Sequence, residues 1–330
     1  MSLSLLDPAA IATRDGVIES LHLAHVVVAS ADGATTAIMG DPDTDIYPRS
    51  ALKPFQAVAV RSHLASLGMA LQGSQLAITC ASHTGSDDHQ IEAASLLAEA
   101  GLVEDALGCP PDWPADAAVR SAVDHPTALA HNCSGKHAAM LWAHTAGDQP
   151  AETYLGADTP LQQAIAQELA VILGQPPRGP GTDGCGAPAW RCSLGGLATG
   201  FARLMAGTTP GLAAVRDAMA CHPLLIGGRN LPDTAMMWAD TRVVAKRGYD
   251  GVMGCAFDHP AHGPLGVAVK VLDGGDRAAG PIAASVLHAL GAALPTDVLH
   301  VPVLGGLTPH GTIAASPTIA SRTTDRFGLS

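Results

Sequence analysis

A chain of 330 residues, 47% hydrophobic and only 15% charged, is long enough to bury one large core or two intimate lobes, and this composition excludes disorder on a large scale. Thirty acidic residues against 18 basic ones give a formal charge of −12 and no basic stripe, which argues against a nucleic-acid partner and for a small-molecule substrate. Met1 to Asp15 has no Lys, one Arg and no long apolar stretch of the secretory kind, and no apolar run reaches the ~18 residues of a membrane span, so a cytoplasmic protein without a membrane partner is expected. The seven cysteines, Cys80, Cys109, Cys133, Cys185, Cys192, Cys221 and Cys255, form an odd set in a long chain and are expected to be reduced.

In chain order, Val17 to Ala29 and Thr35 to Gly40 read as strands, joined as a hairpin by Ser30-Ala31-Asp32-Gly33. A helix is predicted over Ala51 to Leu67, then a strand over Leu76 to Cys80, then a helix over Ser86 to Glu99 that Ser86 starts and Gly101 closes. Helices follow at Lys136 to Thr145, Pro160 to Leu173, Leu194 to Leu204 and Gly211 to Ala220. The stretch Gln175 to Gly181, rich in Pro and Gly, reads as a shaped loop. Arg242 to Lys246, Gly251 to Phe257 and Pro264 to Leu272 are three short strands, and Gly280 to Leu290 is a helix.

Strands, then helices, then strands predict an α+β fold, in which an antiparallel sheet is built from both termini and a mainly helical lobe is inserted. The expected organisation is one compact unit over residues 1–330 with two lobes. The sheet lobe takes about 1–50 and 180–330, and the helical lobe about 51–179.

The first chemical motif is Ser50-Ala51-Leu52-Lys53 at the mouth of a predicted helix. Three residues are about one helical turn, so hydroxyl and amine face one side, and a desolvated, neutral Lys53 could take the serine proton. S-x-x-K is a serine-activating spacing, although alone it arises by chance in many chains. The second motif is Cys80-Ala81-Ser82-His83-Thr84-Gly85, which puts a serine on a turn at the end of an ordered segment. The third and fourth are glycine-rich turns that each hold a thiol, Asn132-Cys133-Ser134-Gly135-Lys136-His137 and Gly181-Thr182-Asp183-Gly184-Cys185-Gly186. Two thiols and a third donor would suit Zn²⁺, while two buried free cysteines are the plainer account; the flanking Lys136, His137 and Asp183 favour a site.

Together with Lys270-Val271-Leu272-Asp273-Gly274, these motifs stand in the order seen in rhizobial-type, class 3 L-asparaginases, and the chain resembles that family over roughly residues 14 to 315. The resemblance implies a fold like that of glutaminases and serine β-lactamases and a homodimer. It implies two serine-lysine tandems, Ser50 with Lys53 and Ser82 with Lys246, with Lys270 as the alternative partner of Ser82. It also implies a zinc site from Cys133, Lys136 and Cys185. Where the family carries a small residue after Lys246 and glycine, this chain has Tyr249.

The activity implied is hydrolysis of L-asparagine to L-aspartate and ammonia through Ser50, with zinc accessory. Arg49 is assigned to the α-carboxylate and Asp183 to the α-ammonium, and His137 is counted with them as substrate-binding. Two other readings stay open: a zinc amidohydrolase that uses metal-bound water on another small amide, and a silent binding module of the penicillin-interactive type.

Overall fold

A computed structural model describes residues 7–329, which group into two compact units. One unit comprises the chain up to Ala51, Cys192–Ala206 and the chain from Ala235 on; the other comprises Leu52–Arg191 and Gly207–Thr234. No helix among the described residues is long and apolar enough to cross a membrane.

The first unit is built on antiparallel sheets, as the order of elements predicts. Its five-stranded sheet runs Thr35–Met39, Ala24–Ser30, Gly263–Val271, Val252–His259 and Val243–Gly248. The runs Val26-Val27-Val28 and Val267-Ala268-Val269 are buried on both faces, so they read as continuous apolar stretches rather than as alternation. Helix Leu194–Ala206 lies so close that a Cβ on Gly266 would fall 1.9 Å from the Ala198 carbonyl oxygen, and one on Gly254 would fall 2.0 Å from Phe201. These strand glycines set the helix-to-sheet distance. A second, four-stranded sheet joins the chain ends, with Ala10–Arg14 between Thr308–Ala315 and Val17–His22.

The second unit is mainly helical. Helix Ser134–Ala146 runs through its interior, with Ser134 through His144 all buried. It meets helix Gly73–Thr79 at Gly135, where a Cβ would sit 2.5 Å from the Ile78 carbonyl oxygen. The close approach explains a glycine inside the Cys133 motif. Helix Pro160–Leu173 has the predicted bounds, set by the Thr159 cap, Pro160 in the first turn and Gly174 in the left-handed conformation.

Three expectations change, one of them at the hairpin that holds Cys185. Leu76 to Cys80, read as a strand, belongs to helix Gly73–Thr79: a five-residue apolar run has no periodicity to separate helix from strand, and here neighbouring helices bury Leu76, Ala77 and Ile78. The run Val17 to Ala29 divides at Leu23, so that Val17–His22 joins the terminal sheet while Ala24–Ser30 forms the expected hairpin with Thr35–Met39.

Candidate active site

In the helical unit, Lys53 opens helix Lys53–Ser66, and its side chain is buried to 1% exposure. Its amine donates to the Ala81 carbonyl, to Ser82 Oγ at 3.1 Å and to Cys133 Sγ at 3.1 Å. Burial pushes the Lys53 pKa down and the Lys136 charge adds to this, while Cys133 and, more weakly, Cys185 pull the other way. The net shift is toward the neutral amine, the form able to accept a proton. Ser82 is held by its backbone: its N–H donates to the Ile226 carbonyl at 2.9 Å, and the next N–H, of His83, donates to Asn132 O at 3.2 Å.

Cys133 caps the N-terminus of helix Ser134–Ala146, where the helix dipole favours a thiolate. Its pKa lies well below the usual thiol range, first through a hydrogen bond with Cys185 and then through Lys53 and Lys136, against the opposing effect of burial. Lys136 projects from the first turn of the same helix and places its amine 3.2 Å from Cys185 Sγ. Burial lowers its pKa, but Cys185, Cys133 and Asp183 beside it outweigh burial and leave it raised. The cluster sets two buried amines, Lys53 and Lys136, against two buried sulfurs, Cys133 and Cys185. Each charge is tolerable only beside its partner.

Cys185 sits in the turn of a β-hairpin, Arg178–Thr182 with Pro188–Ser193, so the Pro- and Gly-rich run expected as a loop is in part a strand. The Asp183 N–H donates to Ala187 O at 2.9 Å, and Asp183 Oδ1 accepts from the Gly184 N–H at 2.7 Å. Asp183 is half-buried, and its charge reaches Lys136. Burial, then the charges of Cys133 and Cys185, push the Cys109 thiol up to about 12, so this cysteine stays protonated.

His137, counted with the substrate contacts, is fully buried. Its Nδ1 lies 2.6 Å from the Tyr154 hydroxyl, which also accepts the Gly108 N–H at 2.7 Å. Burial lowers the imidazole pKa to about 4 against the opposing effect of the Cys185 sulfur, so the ring is neutral. Tyr154 has no motif around it in the sequence. Its scarcity, one of three tyrosines, was the one signal available.

In the sheet unit, Arg49 has a backbone φ of +52°, a left-handed conformation unusual for a long side chain, and Ser50 follows it half-buried in the helical turn Arg49–Leu52. Lys246 lies on strand Val243–Gly248, wholly buried, with its amine donating to the Arg247 carbonyl at 2.9 Å. Lys270 donates to the Asp250 carbonyl at 2.5 Å. Its pKa is lowered by burial and by Arg49, against Asp250, Asp276 and Asp273. Within the helical unit, the serine that Lys53 touches at hydrogen-bond distance is Ser82.

For a soft dication the donor chemistry fits: Cys133 and Cys185 are buried neighbours, one a stabilised thiolate, and the Lys136 nitrogen is beside them. Among the described residues no group of three or more His, Cys, Asp and Glu could hold a metal, so Lys136 would have to complete the set after losing its proton.

Comparisons with solved structures give low identities. The chain is 14% identical to the glutaminase YbgJ of Bacillus subtilis, solved as a covalent complex with 5-oxo-L-norleucine, over 82% of this chain and 88% of that one, with a TM-score of 0.39. To a β-lactamase from Burkholderia vietnamiensis it is 14% identical over 93% of each chain, with a TM-score of 0.41. To Mglu in its native form it is 14% identical over 75% of this chain with a TM-score of 0.40, and it spans only 58% of that longer chain. No curated protein matches. A family match, however, extends over residues 10–313, which takes in the Ser50, Ser82, Cys133 and Cys185 motifs: the chain is an amidohydrolase of the L-asparaginase II family.

Proposed function

We propose that the protein hydrolyses L-asparagine to L-aspartate and ammonia, with Ser50 as nucleophile and Lys53 as its base. The observation that carries this reading is the Lys53 amine, wholly buried and shifted toward neutrality one helical turn after Ser50 in the sequence. Ser50 is the half-exposed serine one turn before it in sequence, where a substrate can arrive. Ser50 Oγ attacks the side-chain amide carbon as its proton passes to Lys53; that proton leaves on ammonia, and water then cleaves the aspartyl ester. Ser82 relays protons for Lys53, and Lys246 is assigned to the same relay. Arg49 takes the α-carboxylate, and Asp183 takes the α-ammonium.

Zn²⁺ held by Cys133, Lys136 and Cys185 would supply positive charge that orders the two cysteine turns. The protein's own groups carry the proton transfers. A homodimer in the cytoplasm completes the reading.

A second reading is favoured by one distance. Because Lys53 lies on Ser82, Ser82 could be the nucleophile and Ser50 a substrate contact. The test is ammonia release from L-asparagine by wild type, Ser50→Ala and Ser82→Ala, with zinc content measured on the same samples. Turnover lost in Ser50→Ala and reduced in Ser82→Ala supports Ser50, whereas full turnover in Ser50→Ala removes the reading. Turnover that vanishes only with the metal would favour the metal-bound water mechanism.

A further inference from the structure

Strand Val243–Gly248 ends pressed onto the turn that carries Ser50. A Cβ on Gly248 would lie 2.2 Å from the Pro48 carbonyl oxygen and 3.2 Å from Ala51 Cβ, so the strand end and the Pro48–Ala51 turn are in contact. Tyr249, the next residue, is therefore anchored beside Arg49 and Ser50. It is 58% exposed, so its ring is not there to fill the core. The Arg49 guanidinium carbon lies 6.0 Å from the centre of that ring, within the range of a cation–π contact. The left-handed backbone at Arg49 starts this side chain on an uncommon path, and the ring meets it at the other end.

We propose that Tyr249 is a positioning residue for recognition of the substrate's α-carboxylate, its ring holding the Arg49 guanidinium in place beside Ser50. A ring in cation–π range attracts the guanidinium's charge and so narrows where the Arg49 side chain can sit, which favours a two-pronged grip on a carboxylate. The inference rests on the reading of Ser50 as nucleophile and of Arg49 as the carboxylate contact. It adds a second residue, outside the motifs, that sets affinity rather than rate.

The test compares L-asparagine with L-asparagine amide, in which a neutral carboxamide replaces the α-carboxylate, in wild type, Tyr249→Ala and Tyr249→Phe. An exposed cation–π contact corresponds to a change of about two- to fivefold. The expected result for Tyr249→Ala is a rise in KM of about that size for L-asparagine, with kcat within about twofold, and no rise for the amide. Tyr249→Phe, which keeps the ring, restores the wild-type KM. Equal effects on both substrates would overturn the proposal, as would an unchanged KM or a loss confined to kcat. Thermal midpoints of the three proteins separate misfolding from affinity. Wild type without asparagine turnover, or a fully active Ser50→Ala, would instead remove the underlying reading, so the two failures are told apart.

Discussion

The two serine-bearing turns solve different problems. Ser50 follows a residue in a left-handed conformation, half-exposed, beside an arginine and an exposed tyrosine. Ser82 is 4% exposed, pinned by backbone hydrogen bonds and touched by a lysine whose burial works against its charge. A nucleophile must meet its substrate; a proton relay must be shielded from water, where amine pKa values return to normal. The contrast is what the proposed function needs, with attack from the first turn and proton management in the second.

Mutating each turn separates the roles most sharply. Ser50→Ala should lower kcat for asparagine by roughly 10,000-fold or more, and Ser82→Ala by about 100- to 1,000-fold, the range of a lost acid–base group against that of a lost nucleophile. Steady-state ammonia release checks both, and a reversed order would exchange the assignments.

The next effect is steric. In Gly248→Ala the new methyl would come 2.2 Å from the Pro48 oxygen, so strand and Ser50 turn must part. A loss of about 2–3 kcal/mol in urea unfolding is expected, with turnover falling at least tenfold. Normal activity in a destabilised variant would show that the turn tolerates the shift.

A pH effect belongs to the buried turn. His137 titrates near 4 when folded against 6.5 ordinarily, so between these values the unfolded chain binds a proton that the folded chain does not. Stability therefore rises with pH in this window and is lost as pH falls through it, by up to about 3 kcal/mol. His131, also lowered by burial, acts in the same direction. Urea midpoints from pH 7 down to pH 4 should fall less steeply in His137→Gln than in wild type.

The smallest change removes one oxygen. Tyr154→Phe leaves the Gly108 N–H and His137 Nδ1 buried without a partner and should cost about 2 kcal/mol of stability. Chemical denaturation measures it, and a neutral variant would mean that the phenol is dispensable to the cysteine turns.

Much of this could be read from the sequence where the signal is local. Thr159, Pro160 and Gly174 delimit a helix because caps act within one turn. The thiol turns and Ser50-x-x-Lys53 stood out through residue type and spacing. What escaped depends on distant residues. Spacing along a helix points Lys53 at Ser50, whereas the amine lies on Ser82 because the Ser82 turn is tied to Ile226 and Asn132. The burial of His137 and the role of Tyr154 follow from the packing of helix Ser134–Ala146, which no motif records. The terminal hairpin His300–Gly305 with Thr308–Ala315 also went unread, since it pairs with Ala10–Arg14 from the other end of the chain.

The central claim is that Ser50 forms the bond to the substrate. The direct test is to treat the protein with a diazoketone analogue of asparagine, which alkylates an attacking nucleophile, and to map the adduct by peptide mass spectrometry. A single label on the peptide at Ser50, absent from Ser50→Ala and blocked by L-aspartate, is the predicted result. A label on Ser82, Cys133 or Cys185, or none in a protein that turns over asparagine, would contradict it.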